Sequence, residues 1–344
     1  MTKKILLTLI IIIPIGLLAF INTGVEMPND TEEAVTEVLS SELPKLVKGK
    51  TALAKSGDIE IWYETIEPKD NVSGTVLLVM GLASSAMLWT ENFYKPFVDA
   101  GYRVIRYDNR DVGLSTWIKD YDSDNPYTLE NMAQDGISVL DDAGVESAHI
   151  VGASMGGMIA QRMAISHSER VSSLTSIMSS GYMNDPDITP VSTHFGIGFA
   201  KLAARHLILG GEAHQLKFFL GTQNALKGNG PYELDSKKSA QLMLYEIRKR
   251  SGFNQSAMEQ HGAAIESSGS RLGELENIKA PTLVIHGKSD PLVIFDHALK
   301  YAPLIPDAET LYIEGMGHDI PAIYIQQVQN GILDNIRKTI KASL

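Results

Sequence analysis

The hydrophobic and polar positions of this chain follow two periods, one typical of strands and one typical of helices. Residues Ile59–Ile66 alternate at every second position, as a half-exposed strand does, whereas Thr75–Met80 is continuously apolar, as a strand buried on both faces is. Further strands are predicted at Arg103–Tyr107, His149–Val151, Leu174–Met178, Thr282–His286 and Thr310–Ile313. Helical periodicity separates them at Leu88–Ala100, Thr128–Ala143, Gly156–Ser166 and Ala322–Ser343. This alternation predicts an α/β fold, a mostly parallel twisted sheet with helices on both faces.

One interval interrupts the alternation. Between Met178 and Thr282 the pattern contains no convincing strand but several helical stretches, among them Ser192–Leu209 and Ser236–Arg250. Such an interval is too long for a crossover connection, so it predicts an inserted helical cap. The predicted division of the chain is a polar, loosely packed lead-in at 25–48, a core formed by 49–180 and 276–344, and a helical cap at 181–275.

The N-terminus differs in kind from the rest of the chain. Lys3 and Lys4 precede an apolar run over 5–21, and acidic residues follow it. A positive segment before an apolar one predicts export, with 1–24 as a signal peptide or an N-terminal membrane anchor. The run has about the minimum length of a membrane span, and cleavage and retention both stay open. The charges on either side favour a periplasmic or extracellular location, or tethering to the outer face of the membrane.

The composition of the chain excludes several classes of function and of functional site. The chain has 344 residues, with 30 Lys and Arg against 41 Asp and Glu, a net charge of −11. This balance, without a basic run, argues against a nucleic-acid surface. No cysteine is present, which excludes disulfides, zinc–thiolate sites and cysteine nucleophiles. No metal-protease or phosphate-loop motif occurs, so we expect neither a metal nor a cofactor. Nothing in these patterns indicates the oligomeric state.

A serine between two glycines stands where a predicted strand passes into a predicted helix. The segment is Gly152-Ala-Ser-Met-Gly156. A sharp strand-to-helix turn lifts the hydroxyl of Ser154 above the sheet, and small flanking residues let the neighbouring chains approach. The pentapeptide alone also fits a structural turn. The choice between turn and nucleophile therefore depends on whether a base and an acid accompany the serine.

Two later strands end beside such groups. Asp290 lies four residues past the strand that ends at His286, and His318 lies five residues past the strand that ends at Ile313. A serine nucleophile needs a base, and the base needs an orienting acid. The order Ser154, Asp290, His318, each at the C-terminal end of a strand, predicts a catalytic triad.

The remaining candidates fit a triad less well. Asp319 is adjacent to His318, and side chains of adjacent residues rarely point at one another. His149 and His286 lie within strands, while His167 ends a helix and His297 begins one. A contact with substrate stays open for the histidines of the predicted cap, which are His194, His206, His214 and His261.

Acyl transfer also needs N–H donors for the developing oxyanion. The strand that ends at Met80 continues into Gly81 and Leu82, and small residues in this loop allow a backbone N–H to face the serine. We therefore expect the N–H groups of Leu82 and Met155 to form an oxyanion hole. In the cap, apolar residues such as Phe199 at helical spacing are more often packing residues than pocket residues.

Together these motifs resemble the α/β-hydrolases, specifically ester hydrolases of the aclacinomycin methylesterase type. The matching segments are Val79–Ser85, Arg106–Ser115, Gly152–Gly157, His286–Asp290 and Gly315–His318. The resemblance implies that Ser154, Asp290 and His318 are nucleophile, acid and base, and that the insertion is a lid or cap. It also implies that Asp108, Arg110 and Asp111 tie down a loop. Met80 departs from the pattern, because many relatives carry histidine there.

We therefore expect a carboxylic ester hydrolase that forms an acyl-enzyme with a small-molecule, hydrophobic ester. Lactone opening, perhydrolysis and carbon–carbon bond hydrolysis stay open, because the cap rather than the triad selects the acyl group. Epoxide hydrolases and haloalkane dehalogenases fit less well, since they use a carboxylate where Ser154 stands. A non-catalytic ligand-binding protein on the same fold is the remaining alternative. The sequence does not specify the acyl and alcohol groups.

Overall fold

The computed structural model describes residues 26–208 and 210–342. Eight strands form one sheet in the order β1-β2-β4-β3-β5-β6-β7-β8. Their bounds are β1 Lys50–Ser56, β2 Ile59–Ile66, β3 Gly74–Val79, β4 Tyr102–Tyr107, β5 Ala148–Ala153, β6 Val171–Ile177, β7 Thr282–Gly287 and β8 Glu309–Ile313. The β1–β2 and β2–β4 pairs are antiparallel, and the others are parallel. The predicted α/β class is confirmed.

Helices cover both faces of the sheet, which explains why the central strands are apolar throughout. In β3, Leu77 packs into one hydrophobic cluster, whereas Val76 and Leu78 pack into another on the opposite face. The core helices are α2 Glu91–Asp99, α3 Leu129–Asp142, α4 Met155–Ser166, α9 Phe295–Tyr301 and α10 Ala322–Ala342. Residues of α3 and α4 contribute to the Leu77 cluster, and residues of α2 and α10 contribute to the other.

Four helices occupy the interval between β6 and β7 in the part of the chain that the structure describes. They are α5 Thr193–His206, α6 Glu212–Leu226, α7 Ser236–Lys249 and α8 Gln255–Ser268. We call them the cap. The last of them also contacts the core, since α8 packs against α3 and Ala264 lies in the main core cluster. The exact limits of the cap, 181 and 275, stay a prediction.

The described part of the lead-in, 26–48, contains a packed segment, contrary to our expectation of a loosely packed one. It contains helix α1, Thr31–Ser40, whose Val35 and Val38 are buried against α6 and α7. The helix was not predicted because its acidic residues, which lie on its exposed side, make the segment look polar throughout. Two of them pair with lysines of the cap, Glu32 with Lys217 and Glu37 with Lys237.

The predicted signal peptide or anchor at 1–24 lies outside the described residues. Among the helices that the structure describes, none is both long enough and apolar enough to cross a bilayer. The 21-residue helix α10 packs instead against β6, β7 and α2 along one face.

Candidate active site

Ser154 sits on the turn between β5 and α4 in a strained backbone conformation. Its φ is 56° and its ψ is −124°, a region that residues with a Cβ rarely adopt. The glycines on either side are needed for close approach. A Cβ at Gly152 would lie 2.1 Å from the carbonyl oxygen of Gly156, and a Cβ at Gly156 would lie 2.1 Å from that of Val79. The turn therefore holds the serine side chain above the end of β5.

The structure brings Ser154, His318 and Asp290 into one hydrogen-bonded chain. Ser154 Oγ and His318 Nε2 are 2.9 Å apart, and His318 Nδ1 and Asp290 Oδ2 are 2.7 Å apart. Because a carboxylate can only accept, Nδ1–H donates to Asp290, which leaves Nε2 free to accept from the serine hydroxyl. The three residues come from the ends of β5, β7 and β8, as their positions in the sequence predict.

Asp290 is buried yet fully supported by hydrogen bonds. Its Oδ1 accepts from the N–H groups of Leu292 and Val293, each at 2.9 Å. His286 lies below it and donates through Nε2 to the carbonyl of Val293 at 2.7 Å. Burial lowers the pKa of His286, and its hydrogen bond to Val293 holds the loop. The acid is thus fixed in place before any substrate arrives.

The loop after β3 runs directly beside the serine. A Cβ at Gly81 would lie 3.0 Å from the Cβ of Ser154, so a larger residue here would crowd the serine. Within the described chain, neither Leu82 N–H nor Met155 N–H donates to another protein group. Met155 is the first residue of α4, where the N–H has no acceptor inside the helix. Both donors remain our candidates for the oxyanion hole.

A cavity of about 700 Å³ opens between the core and the cap, and Ser154 and His318 lie in its wall. Most of the other lining side chains are apolar, with methionine and phenylalanine prominent: Met80, Met155, Met158, Met178, Met183, Phe195, Phe199, Phe218, Phe219 and Phe253. Phe199 and Phe218 also pack edge to face, with ring centroids 5.7 Å apart. Cap aromatics therefore do both things at once: they pack, and they line the pocket.

Comparison with known proteins now identifies the family. The family described as the α/β hydrolase fold matches residues 74–322. The chain is an α/β-hydrolase. The expected resemblance to methylesterases is confirmed by a rhodomycin D methylesterase of Streptomyces sp. (strain C5), 29% identical over 286 residues, which cover 79% of this chain and 93% of that protein. A 2-hydroxy-6-oxononadienedioate/2-hydroxy-6-oxononatrienedioate hydrolase of Pseudomonas sp. is 28% identical over 294 residues, covering 83% of this chain and 92% of that protein.

Solved structures support the fold. An esterase from Exiguobacterium antarcticum has a TM-score of 0.65 at 19% identity and covers 84% of this chain and all of its own. A membrane phospholipase A, described as a bacterial virulence factor, has a TM-score of 0.62 at 21% identity and covers 98% of this chain and 99% of its own. At these identities the likeness concerns the architecture alone.

Asp108, Arg110 and Asp111 hold the loop after β4 in this α/β-hydrolase, as the resemblance implies. Asp108 accepts from the N–H groups of Ala86 and Leu114, each at 2.9 Å. Arg110 pairs with Asp135 at 2.7 Å. Asp111 accepts from the hydroxyl of Tyr127 at 2.8 Å and from a backbone N–H in the following segment.

The cap holds the loop after β3, a role that the sequence did not indicate. His261 of α8 is buried and accepts from Ala83 N–H through Nδ1 at 3.1 Å, while its Nε2 donates to the carbonyl of Arg110 at 2.8 Å. Both ring nitrogens are therefore occupied, and burial lowers the pKa of His261 to about 4. A substrate contact, left open for this histidine, is replaced by a positioning role. No local pattern in the sequence indicates this role of His261. In an Ala-rich helix, a histidine that becomes buried cannot be distinguished by sequence from one that stays exposed.

A second cap residue reaches the same loop. Glu246 of α7 accepts from the hydroxyl of Ser85 at 2.6 Å. Next to it, Arg250 pairs with Asp108, and its guanidinium stacks 3.9 Å above the ring of Trp62. Burial raises the pKa of Glu246 to about 7, although Arg250 opposes the shift. The buried polar network that includes Glu246 and Arg250 thus reaches the loop after β3, which lies beside Ser154.

The cap also holds the loop that carries the histidine. The backbone N–H of His318 donates to the carbonyl of Leu226 at 2.9 Å, at the end of α6. Asp319 accepts from the hydroxyl of Tyr232 at 2.8 Å, and burial raises the pKa of Asp319 to about 6. This hydrogen bond turns Asp319 toward the cap, and Asp290 is the carboxylate that contacts His318. Within the described residues, no group of three or more His, Asp or Glu side chains is arranged to bind a metal.

Proposed function

We propose that this α/β-hydrolase cleaves carboxylic esters through an acyl-enzyme intermediate. Ser154 is the nucleophile, His318 the general base and Asp290 the residue that orients the base. The N–H groups of Leu82 and Met155 form the oxyanion hole. The observation that carries the proposal is the unbroken hydrogen-bonded chain from Ser154 Oγ through His318 to Asp290, at 2.9 and 2.7 Å, in the wall of a large apolar cavity.

The geometry supports a two-step reaction. As Ser154 Oγ attacks the ester carbonyl, its proton passes to His318 Nε2, and the negative charge on the carbonyl oxygen is received by the two N–H groups. His318 then gives the proton to the leaving alcohol, and the acyl group remains on the serine. In the second step His318 takes a proton from water, which attacks the acyl carbon and releases the acid. Asp290 stabilises the imidazolium each time.

The cavity favours a hydrophobic substrate. Its apolar wall surrounds the serine, so an acyl or alcohol group that is buried there gains about 25 cal/mol for each Å² removed from water. The relative named a methylesterase supports an ester as the bond that is cleaved.

The relative named for 2-hydroxy-6-oxononadienedioate supports a second candidate, the hydrolysis of such a dicarboxylate. A dianion needs cationic partners when it is buried. The cavity lining includes Lys227 and Lys238, but Glu233 and Asp235 also line it, and Lys227 is paired with Glu233 at 3.0 Å. This charge balance favours a neutral ester.

We further propose that the chain is exported and held at the outer face of the membrane by residues 5–21. The support is the lysine-flanked apolar run in the sequence.

The mass of the full chain after exposure to a fluorophosphonate tests the nucleophile without knowledge of the substrate. We expect one adduct on the wild type and none on Ser154→Ala. Ser239→Ala is the matched control, because Ser239 also lines the cavity but belongs to the cap, and it should be labelled like the wild type. A wild type that folds but takes no adduct contradicts the proposal, and so does an adduct on Ser154→Ala.

A further inference from the structure

Helix α5 of the cap has two dissimilar faces. Its inner face packs on α6, where Leu202 is buried and Phe199 contacts Phe218. Phe195 and Phe199 of the helix, with Leu207 just after it, also line the cavity. The helix therefore forms one wall of the substrate site, and its other side faces outward.

The outer face of α5 is apolar and lacks carboxylates. Ile197 is 47% exposed, and Ile208, just beyond the helix, is 78% exposed. The sequence between Asp187 and Glu212 contains no acidic residue and includes Lys201 and Arg205, although the chain as a whole carries −11. Other helices differ, since the exposed sides of α1 and α7 carry charged residues, among them Glu33, Glu37, Lys237 and Lys249. An exposed apolar helix with basic and without acidic residues is typical of a helix that lies in a lipid interface.

The start of the described chain lies beside α5. The carbonyl of Glu26 accepts from Asn224 of α6 at 3.0 Å. A Cβ at Gly221 would lie 2.5 Å from Leu202 of α5 and 2.9 Å from the sulfur of Met27, so Met27 and this helix meet at one point. The apolar run ends at residue 21, and the intervening chain can span no more than about 17 Å. A bilayer that takes up residues 5–21 is therefore within reach of α5.

We propose that the outer face of α5, which comprises Ile197, Ala200, Ala204 and Ile208, docks on a lipid bilayer. The same bilayer holds residues 5–21. Because α5 itself has no carboxylate, anionic lipids repel it less than they repel the rest of this acidic chain, and Glu32 of α1 is the acidic side chain that interacts with Arg205. Docking places the cavity wall formed by Phe195, Phe199 and Leu207 directly above the lipid. Its substrates are then esters that partition into the membrane, and this last point alone rests on the proposed esterase function.

The absence of cysteine makes a direct test feasible. Ile197→Cys and Ile208→Cys, each in the full chain with Ser154→Ala, accept a single environment-sensitive fluorophore. Leu299→Cys on α9 is the matched control, because Leu299 is 48% exposed on the core. With vesicles of phosphatidylcholine and phosphatidylglycerol, we expect labels at 197 and 208 to shift to shorter wavelength and to be quenched several-fold by spin-labelled lipid. The label at 299 should do neither.

Three outcomes would overturn the docking. Labels at 197 and 208 that behave like the label at 299 would show that α5 does not touch lipid. A shift before vesicles are added, dependent on protein concentration, would indicate a second copy on this face. The same shift at every concentration would indicate that residues 5–21 cover it. Because the labelled chains carry Ser154→Ala, failure of the esterase proposal does not affect this test.

The substrate class is tested separately in the active chain. Ile197→Glu should lower the rate on an ester embedded in vesicles several-fold and leave the rate on a soluble short-chain ester unchanged. Leu299→Glu should change neither rate. Equal rates of Ile197→Glu and wild type on the embedded ester would overturn the proposed substrate class.

Discussion

The core and the cap contribute to the site in different ways. The core supplies the three side chains of the proposed triad, each at the end of a strand: Ser154 after β5, Asp290 after β7 and His318 after β8. The cap supplies none of these three side chains. It does hydrogen-bond to the backbone of two loops at the site, through His261 to Ala83 and through Leu226 to His318. The cap therefore holds two loops at the site in place as well as forming part of the cavity wall.

This difference separates two kinds of mutation. Changes in the core should alter the chemical step for every ester. Changes in the cap should alter which ester is used, or how firmly the loops are held, and their effects should be smaller.

Asp290→Asn should lower kcat on a 4-nitrophenyl ester by about 10⁴, because an amide at this position favours the wrong tautomer of the base. Asp319→Asn is the matched control. Asp319 contacts Tyr232 of the cap and is adjacent to His318, and its replacement should cost less than about tenfold. A larger loss in Asp319→Asn than in Asp290→Asn would reverse the assignment of the acid.

Gly81→Ala should lower kcat by about 10²–10³, the loss measured when an oxyanion donor is displaced. The new methyl group would lie 3.0 Å from the Cβ of Ser154 and 3.2 Å from the carbonyl oxygen of Ala153, so the loop with Leu82 and the turn with Ser154 must separate slightly, which displaces the N–H of Leu82 from the serine. Gly262→Ala in α8 is the control, because a Cβ there meets nothing within 4 Å. A normal rate in Gly81→Ala would remove this loop from the oxyanion hole.

Phe199→Ala should change substrate preference more than the chemical step. The loss of this aromatic wall should lower kcat/KM for a long-chain ester by about tenfold, since a half-buried ring contributes about 1.5 kcal/mol of apolar contact. The rate on an acetyl ester should stay within about twofold of the wild type. Equal losses on both esters would indicate that Phe199 is needed for the structure of the cap rather than for selection.

Glu246→Gln should change the pH dependence of stability. In the folded chain burial raises the pKa of Glu246 from an ordinary 4.5 to about 7, so the native state binds more protons than the unfolded state between these values. The free energy of unfolding of the wild type therefore falls as pH rises through this window. Relative to wild type, the variant should gain up to about 3 kcal/mol between pH 4.5 and pH 8, measured by urea unfolding. If the free energies of unfolding of the two proteins changed with pH in parallel, the raised pKa of Glu246 would be contradicted.

Strand periodicity was a reliable guide in the core. Every predicted strand is present, within a few residues of its predicted bounds. Elements at the periphery were missed, and each for a physical reason. Strand β1 is an edge strand in which residue type does not follow burial, since Leu53 is exposed and Ser56 is buried. Helix α1 looked like a tether because its three glutamates are interspersed with the few apolar residues that pack on the cap.

The α/β class, the sharp turn at Ser154 and the identity of its two partners could be predicted from the sequence alone. This was possible because parallel strands present their C-terminal ends at one edge of a sheet, so a local and periodic signal locates residues that are far apart in the chain but meet at that edge. How the loops are held, and that Phe199 both packs and lines a pocket, became visible only in the folded chain. Contacts such as His261 with Ala83 join residues that are far apart in the chain, and they depend on how helices pack on a sheet, for which no short pattern exists.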